Sequence, residues 1–288
     1  MQAVSRRAFL STAISYAAVK GANDRLLIGV VGCGGMATHH MQTLVKNKDE
    51  DNIDIIGVSD LWDKRAQQAG ALTGGKPFRD YRQVLEIKDV DYVLTATPEH
   101  WHAQVTLDAL AAGKHVYSEK PMTRTVEQAK KVVAKVKQSG LKLQVGVQGM
   151  SDDSYETAHR YIQEGVLGKV VLAQIDYSRN HRDDFWIYKV DPDIKPGVDF
   201  DWVKWQGYTK KRPFDQERYF SWRRFWDYSG GISGDLFVHR VTRIIKALGL
   251  TFPDTVCASG GKFQFTQGKA EIPDTMNVLL DYPGGLTV

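Results

Sequence analysis

Four groups of residues in this chain have the types and spacing to do chemistry. Gly32-Cys33-Gly34-Gly35-Met36-Ala37 reads G-x-G-x-x-A. In that pattern the first glycine permits a tight turn and the second lets backbone approach a pyrophosphate. The alanine keeps the next helix close to a sheet, with the phosphates at the helix N-terminus. Gly32, Gly34, Gly35, Met36 and Ala37 are therefore expected to contact a dinucleotide. Asp60 closes the following apolar run, 28 residues after Gly32. A carboxylate there accepts hydrogen bonds from ribose hydroxyls and repels a 2′-phosphate, which favours NAD, with NADP kept as the lesser choice because Lys64 and Arg65 follow closely. Lys120 ends another apolar run, and an amine there can pass a proton to or from a substrate hydroxyl. Asp235 and His239 are spaced i, i+4, so one α-helical face would present both. Histidine titrates near neutrality and suits a general base. Each group also has a plainer reading. The turn would then be structural, Lys120 a surface ion pair with Glu119, and Asp235 with His239 a solvated pair. Cys33 is expected to fill space in the loop, not to act as a nucleophile.

The elements that must position these groups follow from hydrophobic period. Continuous Val/Ile/Leu runs at 26–31, 53–59, 92–97, 115–118 and 143–147 alternate with helical patterns at 36–46, 62–72, 101–112 and 126–139. That alternation predicts a parallel Rossmann sheet covered on both faces, with Lys120 at the strand-end edge where ligands bind. Beyond Gly149 the pattern changes. A helix is expected at 154–164 and a strand at 170–177, then a long aromatic and charged segment to Tyr228. A helix at 233–248 and strands at 256–265 and 276–282 complete an α+β region with a largely antiparallel, open sheet. The expected organisation is 1–22 as a leader, 23–148 as the NAD(P)-binding domain and 149–288 as a substrate and oligomerisation domain.

Composition narrows the class. The chain has 288 residues, 42% hydrophobic and 25% charged, with 26 Gly, 9 Pro and 2 Cys, so it is neither disordered, collagen-like nor disulfide-stapled. Its net charge of +4 comes from 38 Lys+Arg against 34 Asp+Glu, and the basic residues are scattered, so no nucleic-acid partner is expected. Cys33 and Cys257 give no zinc spacing, and no metal is expected. No run reaches the roughly 18 apolar residues of a membrane-spanning helix.

Gly113-Lys114-His115-Val116-Tyr117-Ser118-Glu119-Lys120-Pro121 resembles the G-K-H-V-x-x-E-K-P signature of the glucose–fructose oxidoreductase/inositol dehydrogenase/rhizopine-catabolism (Gfo/Idh/MocA) family. Thr97-Pro98-Glu99-His100-Trp101-His102 and Gly230-Gly231 leading into Asp235-x-x-x-His239 extend the resemblance over essentially the whole chain after the leader. The resemblance implies a catalytic group of Lys120, Asp235 and His239, a candidate cis bond before Pro121, and cofactor contacts from Thr97, Pro98, His102, Glu119 and Lys120. It also implies a homodimer or homotetramer. Many relatives carry an acidic residue three positions after the histidine, where this chain has Thr242. Trp101, Arg224 and Tyr228 are expected to contact substrate, because aromatic rings stack on a sugar's C–H face while polar groups hold its hydroxyls.

Ser5-Arg6-Arg7-Ala8-Phe9-Leu10 before a mild apolar stretch resembles a twin-arginine export signal, which predicts a periplasmic or otherwise exported protein, with a cytoplasmic location as the alternative. The close of the chain at Pro283-Gly284-Gly285-Leu286-Thr287-Val288 suggests a C-terminally truncated sequence. The expected function is an NAD(P)-dependent oxidoreductase moving hydride between nicotinamide and a hydroxyl carbon of a sugar, polyol or glycoside. Two alternatives stand beside it. One is a glycosidase or epimerase that recycles its NAD through a transient keto sugar, and the other is a non-catalytic, nucleotide-dependent sugar sensor.

Overall fold

The computed structural model describes residues 25–179 and 181–288. The chain divides into two compact units. One runs up to Gly146 and includes Asp191–Phe214; the other is Val147–Val190 with Asp215–Val288.

In the first unit the elements run in the order β1 (Leu26–Val31), α1 (Gly35–Lys46), β2 (Ile53–Ser59), α2 (Asp63–Thr73), β3 (Lys76–Phe78) and α3 (Tyr81–Leu85). They continue with β4 (Tyr92–Thr95), α4 (Glu99–Ala111), β5 (His115–Glu119), α5 (Val126–Ser139) and β6 (Leu143–Gly146). All six strands are parallel, in the order β3-β2-β1-β4-β5-β6. Apolar side chains on successive strand positions point to opposite faces, so continuous Val/Ile runs give both faces a core. Ile28, Val30 and Val58 pack with Ala37 and Met41 of α1 on one side. Val31, Val93 and Val116 pack with Val105 and Ala109 of α4 on the other. Strand order reverses between β1 and β4, and the loops after those strands open the crevice where such sheets bind ligands.

β3 and α3 are absent from the sequence reading. β3 has three residues, and α3 is a single turn capped by the Asp80 side chain. Neither is long enough to show a period.

A second departure concerns 191–214, which the sequence reading placed with the C-terminal region. This stretch forms a belt on the first unit. Asp63 N–H donates to the Asp199 carbonyl and Asp201 N–H to the Leu61 carbonyl, at 2.9 and 3.1 Å. The short helix α7 (Trp202–Trp205) stacks Trp202 on Trp205, with centroids 4.9 Å apart. Lys64 holds Asp191 and Asp193 at 2.7 and 2.8 Å. Apolar rings every few residues carry no strand or helix period, which hides such a belt in the sequence.

The second unit holds α6 (Asp153–Gln163), α8 (Gln216–Phe220), a π-helical turn (Ser233–Phe237) running into α9 (Val238–Leu248), and strands β7 (Thr255–Gly261), β8 (Thr275–Tyr282) and β9 (Leu286–Thr287). The three strands form an antiparallel sheet, β7-β8-β9. The α/β fold is thus a Rossmann sheet followed by an α+β unit with a separate antiparallel sheet, as the sequence predicts. The expected strand at 170–177 reduces to a bridge between Leu172 and Thr287. Its partner β9 is two residues long and pairs with β8 along its other edge.

Among the described residues, no helix is long and apolar enough to cross a membrane. The expected leader lies outside the described residues.

Candidate active site

The glycine turn sits at the end of β1. Gly32 has φ +83°, and a Cβ there would lie 2.8 Å from the Thr97 backbone nitrogen and 2.9 Å from Thr97 Cα. Only glycine tolerates both the left-handed backbone and that approach, so the turn after β1 is pressed against the loop after β4. Gly34 is the N-cap of α1, without a side-chain cap, and the first turn carries no acidic residue. Its first backbone N–H groups are therefore left for an anion. A Cβ on Gly35 would meet nothing within 4 Å. Ala37 is fully buried against the sheet. The exposed Met36 lies on the same turn.

Asp60 braces this turn: Cys33 N–H donates to Oδ2 at 2.8 Å, and Trp62 N–H donates to Oδ1 at 2.9 Å. Cys33 Sγ–H donates to the Ser59 carbonyl at 3.4 Å, and burial pushes its thiol well above the ordinary range. A thiol held protonated is no nucleophile, as expected. The donors, the open first turn and the carboxylate together fit a dinucleotide: α1 for the pyrophosphate and Asp60 for the ribose.

Lys120 follows β5 and is buried, as is Glu119, which removes the reading as a surface ion pair. The Lys120–Pro121 bond is cis. His102 joins this turn to the loop after β4. Its Nδ1 lies 2.6 Å from the Pro121 carbonyl and its Nε2 2.8 Å from the Thr97 carbonyl. Both ring nitrogens face backbone carbonyls, and the neutral ring donates to one of them while packing against the other, so His102 braces the loops around Thr97 and Pro98. A direct cofactor contact through those nitrogens is not available to it. Burial holds its pKa down.

Trp101 is placed differently from the expectation. Its indole N–H donates to the Trp205 carbonyl at 2.8 Å, which also lies 2.8 Å from His100 Nε2. Trp101 and His100 thus pin the belt onto α4, and Trp101 packs on the core beneath it. Its role is packing, the use that any indole finds most easily beside another aromatic segment.

In the second unit Asp235 is 4% exposed, and its Oδ1 accepts from Arg223 Nε at 3.2 Å. Asp235 lies in the π turn, whereas His239 lies in α9. The single α-helical face drawn from the i, i+4 spacing is therefore widened between them. Gly230, Gly231 and Gly234 precede or enter that turn, where weak α-helix propensity tolerates the wider coil. His239 is half-buried, edge-on to Tyr177 at 6.4 Å. Thr242, in the position that departs from the family pattern, bonds back to the Val238 carbonyl at 2.5 Å.

Arg224 and Tyr228 do not stand where a substrate could meet them. Tyr228 is fully buried, and Arg224 is 2% exposed with its guanidinium bonded to Asp184 and Glu217. A buried guanidinium needs such carboxylates, which makes this a structural pair. The sequence reading missed His40, Arg223 and the belt. Arg223 is one of two adjacent arginines with nothing to tell them apart, and His40 follows another histidine on an amphipathic helix.

A glycine turn against the second inner loop, an open helix N-terminus and a strand-end carboxylate define a dinucleotide-binding Rossmann protein. Residues 26–147 match the GFO_IDH_MocA family model, the oxidoreductase family with an NAD-binding Rossmann fold. The inositol 2-dehydrogenase of Rubrobacter xylanophilus is 30% identical over 186 residues, covering 64% of this chain and 50% of that protein. The NAD(+)-dependent scyllo-inositol 2-dehydrogenase of Bacillus subtilis is 32% identical over 143 residues, 49% of this chain and 41% of that protein. The chain thus spans about half the length or less of these curated relatives. The WlbA dehydrogenase from Bordetella pertussis, solved with NADH and UDP-GlcNAcA, superimposes with a TM-score of 0.68 at 21% identity, over 91% of this chain and 69% of that one. That likeness is one of fold.

Proposed function

We propose that the protein is an NAD-dependent dehydrogenase acting on a secondary hydroxyl of a sugar or polyol. The observation that carries this reading is the pairing of an open, glycine-capped α1 with a buried Lys120 at the same strand-end edge. NAD, when bound, supplies the hydride acceptor. Lys120 handles the hydroxyl proton; in the second unit Asp235 is held by Arg223, and the family pattern gives His239 a proton-handling role and Asp235 a supporting one. The assignment of Asp235 and His239 rests on the resemblance of Gly230-Gly231 through His239 to the family pattern.

NAD is favoured over NADP on two grounds. The Asp60 carboxylate follows β2 beside the glycine turn, a position that suits ribose hydroxyls, and Lys64 is bonded to Asp191 and Asp193, although Arg65 lies close to Gly34. A homodimer or homotetramer belongs to the same reading, supported by exposed Val256 and Leu279 on the β7–β8 sheet. Export by the twin-arginine route, read from Arg6-Arg7, is proposed with it.

The test is a panel of inositols and monosaccharides with NAD, followed at the absorbance of NADH. Turnover is expected on at least one cyclic polyol or sugar, and Lys120→Ala is expected to reduce it about 10²–10⁴-fold, the usual worth of a general acid–base. Full activity in Lys120→Ala would remove the lysine from the chemistry.

A further inference from the structure

His40, which lies outside the family signature read above, touches the turn that carries the lysine. It sits in the second turn of α1, the helix whose N-terminus faces the glycine loop. Its Nε2 lies 2.7 Å from Glu119 Oε1, and a carboxylate only accepts, so the imidazole N–H donates. The second oxygen, Oε2, accepts from the Lys120 backbone N–H at 3.2 Å. Glu119 is 4% exposed, so these bonds replace water on a buried carboxylate. The His40 ring is fixed in turn by Tyr117, edge-on at 5.4 Å. Tyr117 is itself seated on β6, since a Cβ on Gly146 would come within 2.2 Å of its Oη.

We propose that His40 is a positioning residue for Lys120, acting through Glu119. The lysine side chain is a four-carbon stem, and the backbone from which it leaves is held at its amide by the Glu119 carboxylate. The carboxylate on its amide sets the direction in which that stem leaves the strand. His40 ties the carboxylate to α1, so one chain of hydrogen bonds sets the lysine's position relative to the helix that faces the phosphates. The inference rests on the reading of Lys120 as a proton-handling residue.

The test needs a readout besides turnover. Full-length protein is labelled briefly with acetic anhydride, and acetylation of Lys120 is measured by mass spectrometry relative to the exposed lysines. His40→Leu removes the donor and is expected to change the Lys120 rate by about threefold or more, since small misplacements have large kinetic effects. His40→Gln can place an amide N–H near the same point and is expected to restore the rate. Glu119→Gln serves as the second variant and is expected to behave like His40→Leu. With a substrate from the panel above, His40→Leu should lower kcat more than it raises KM.

A Lys120 rate unchanged in both His40→Leu and Glu119→Gln would overturn the inference. So would a rate that His40→Gln fails to restore, because packing of the ring would then be its whole contribution. Lys120→Ala separates the two levels. If it retains turnover, the reading of the lysine fails. If it loses turnover while the labelling is unchanged, only His40 is misassigned.

Discussion

At Gly32 the left-handed backbone and the Thr97 backbone exclude any side chain, and the same residue forms the floor of the proposed phosphate site. Gly32→Ala should cost about 1–3 kcal/mol in local strain, which is roughly a 5- to 150-fold loss if it falls on the binding-competent loop. Titration with NAD, alongside a melting curve, checks whether binding falls further than overall stability. Arg224 is the opposite case, a charged residue whose neighbours are protein. Arg224→Leu leaves Asp184, also largely buried, without its cation, and should reduce unfolding free energy by about 3–5 kcal/mol in a denaturant titration. Unchanged stability with a raised substrate KM would return Arg224 to the substrate contacts.

Among the elements, the contact of α4 with the belt makes a pH prediction. His100 is buried where α4 meets the belt, and burial lowers its pKa to about 3 from an ordinary 6.5. The folded state therefore holds the ring neutral, while the unfolded chain takes up a proton as pH falls below 6.5. The stabilisation is fully present above about pH 6.5 and is lost progressively toward pH 3, with buried His102 adding in the same direction. Melting temperature should fall through that window, and His100→Gln should flatten part of the slope. A melting temperature independent of pH between 6.5 and 4 would contradict the burial. The belt also marks where the sequence stopped being legible. In the first unit β1, β2, β4, β5, β6, α1, α2, α4 and α5 were readable because each buries a continuous apolar run or a face with a regular period. Residues 191–214 are held by carbonyls, rings and Lys64, contacts between residues more than a hundred positions apart that leave no local pattern. Trp101 was misread for the same reason: an exposed-looking aromatic beside a predicted cleft had its partner, the Trp205 carbonyl, hidden in that segment. The π turn at Asp235 was likewise invisible to a reading that counts by fours.

For the whole molecule, the glycine loop, Asp60 and the buried Lys120 were legible as types in a pattern, because dinucleotide binding needs backbone freedom, a helix N-terminus and a carboxylate at fixed offsets. What the offsets could not carry was the support: Asp60 bonded to Cys33 N–H, His102 spanning two carbonyls, and His40 reaching Glu119. The central claim is that this scaffold binds NAD and discriminates against NADP. Equilibrium dialysis of the full-length protein against equal concentrations of the two, followed by mass spectrometry of the nucleotide in the protein compartment, tests it most directly. The account predicts near one NAD(H) per chain and a preference of about tenfold or more over NADP, as a carboxylate at the end of β2 would give. Retention of neither nucleotide, or of NADP in preference to NAD, would contradict it.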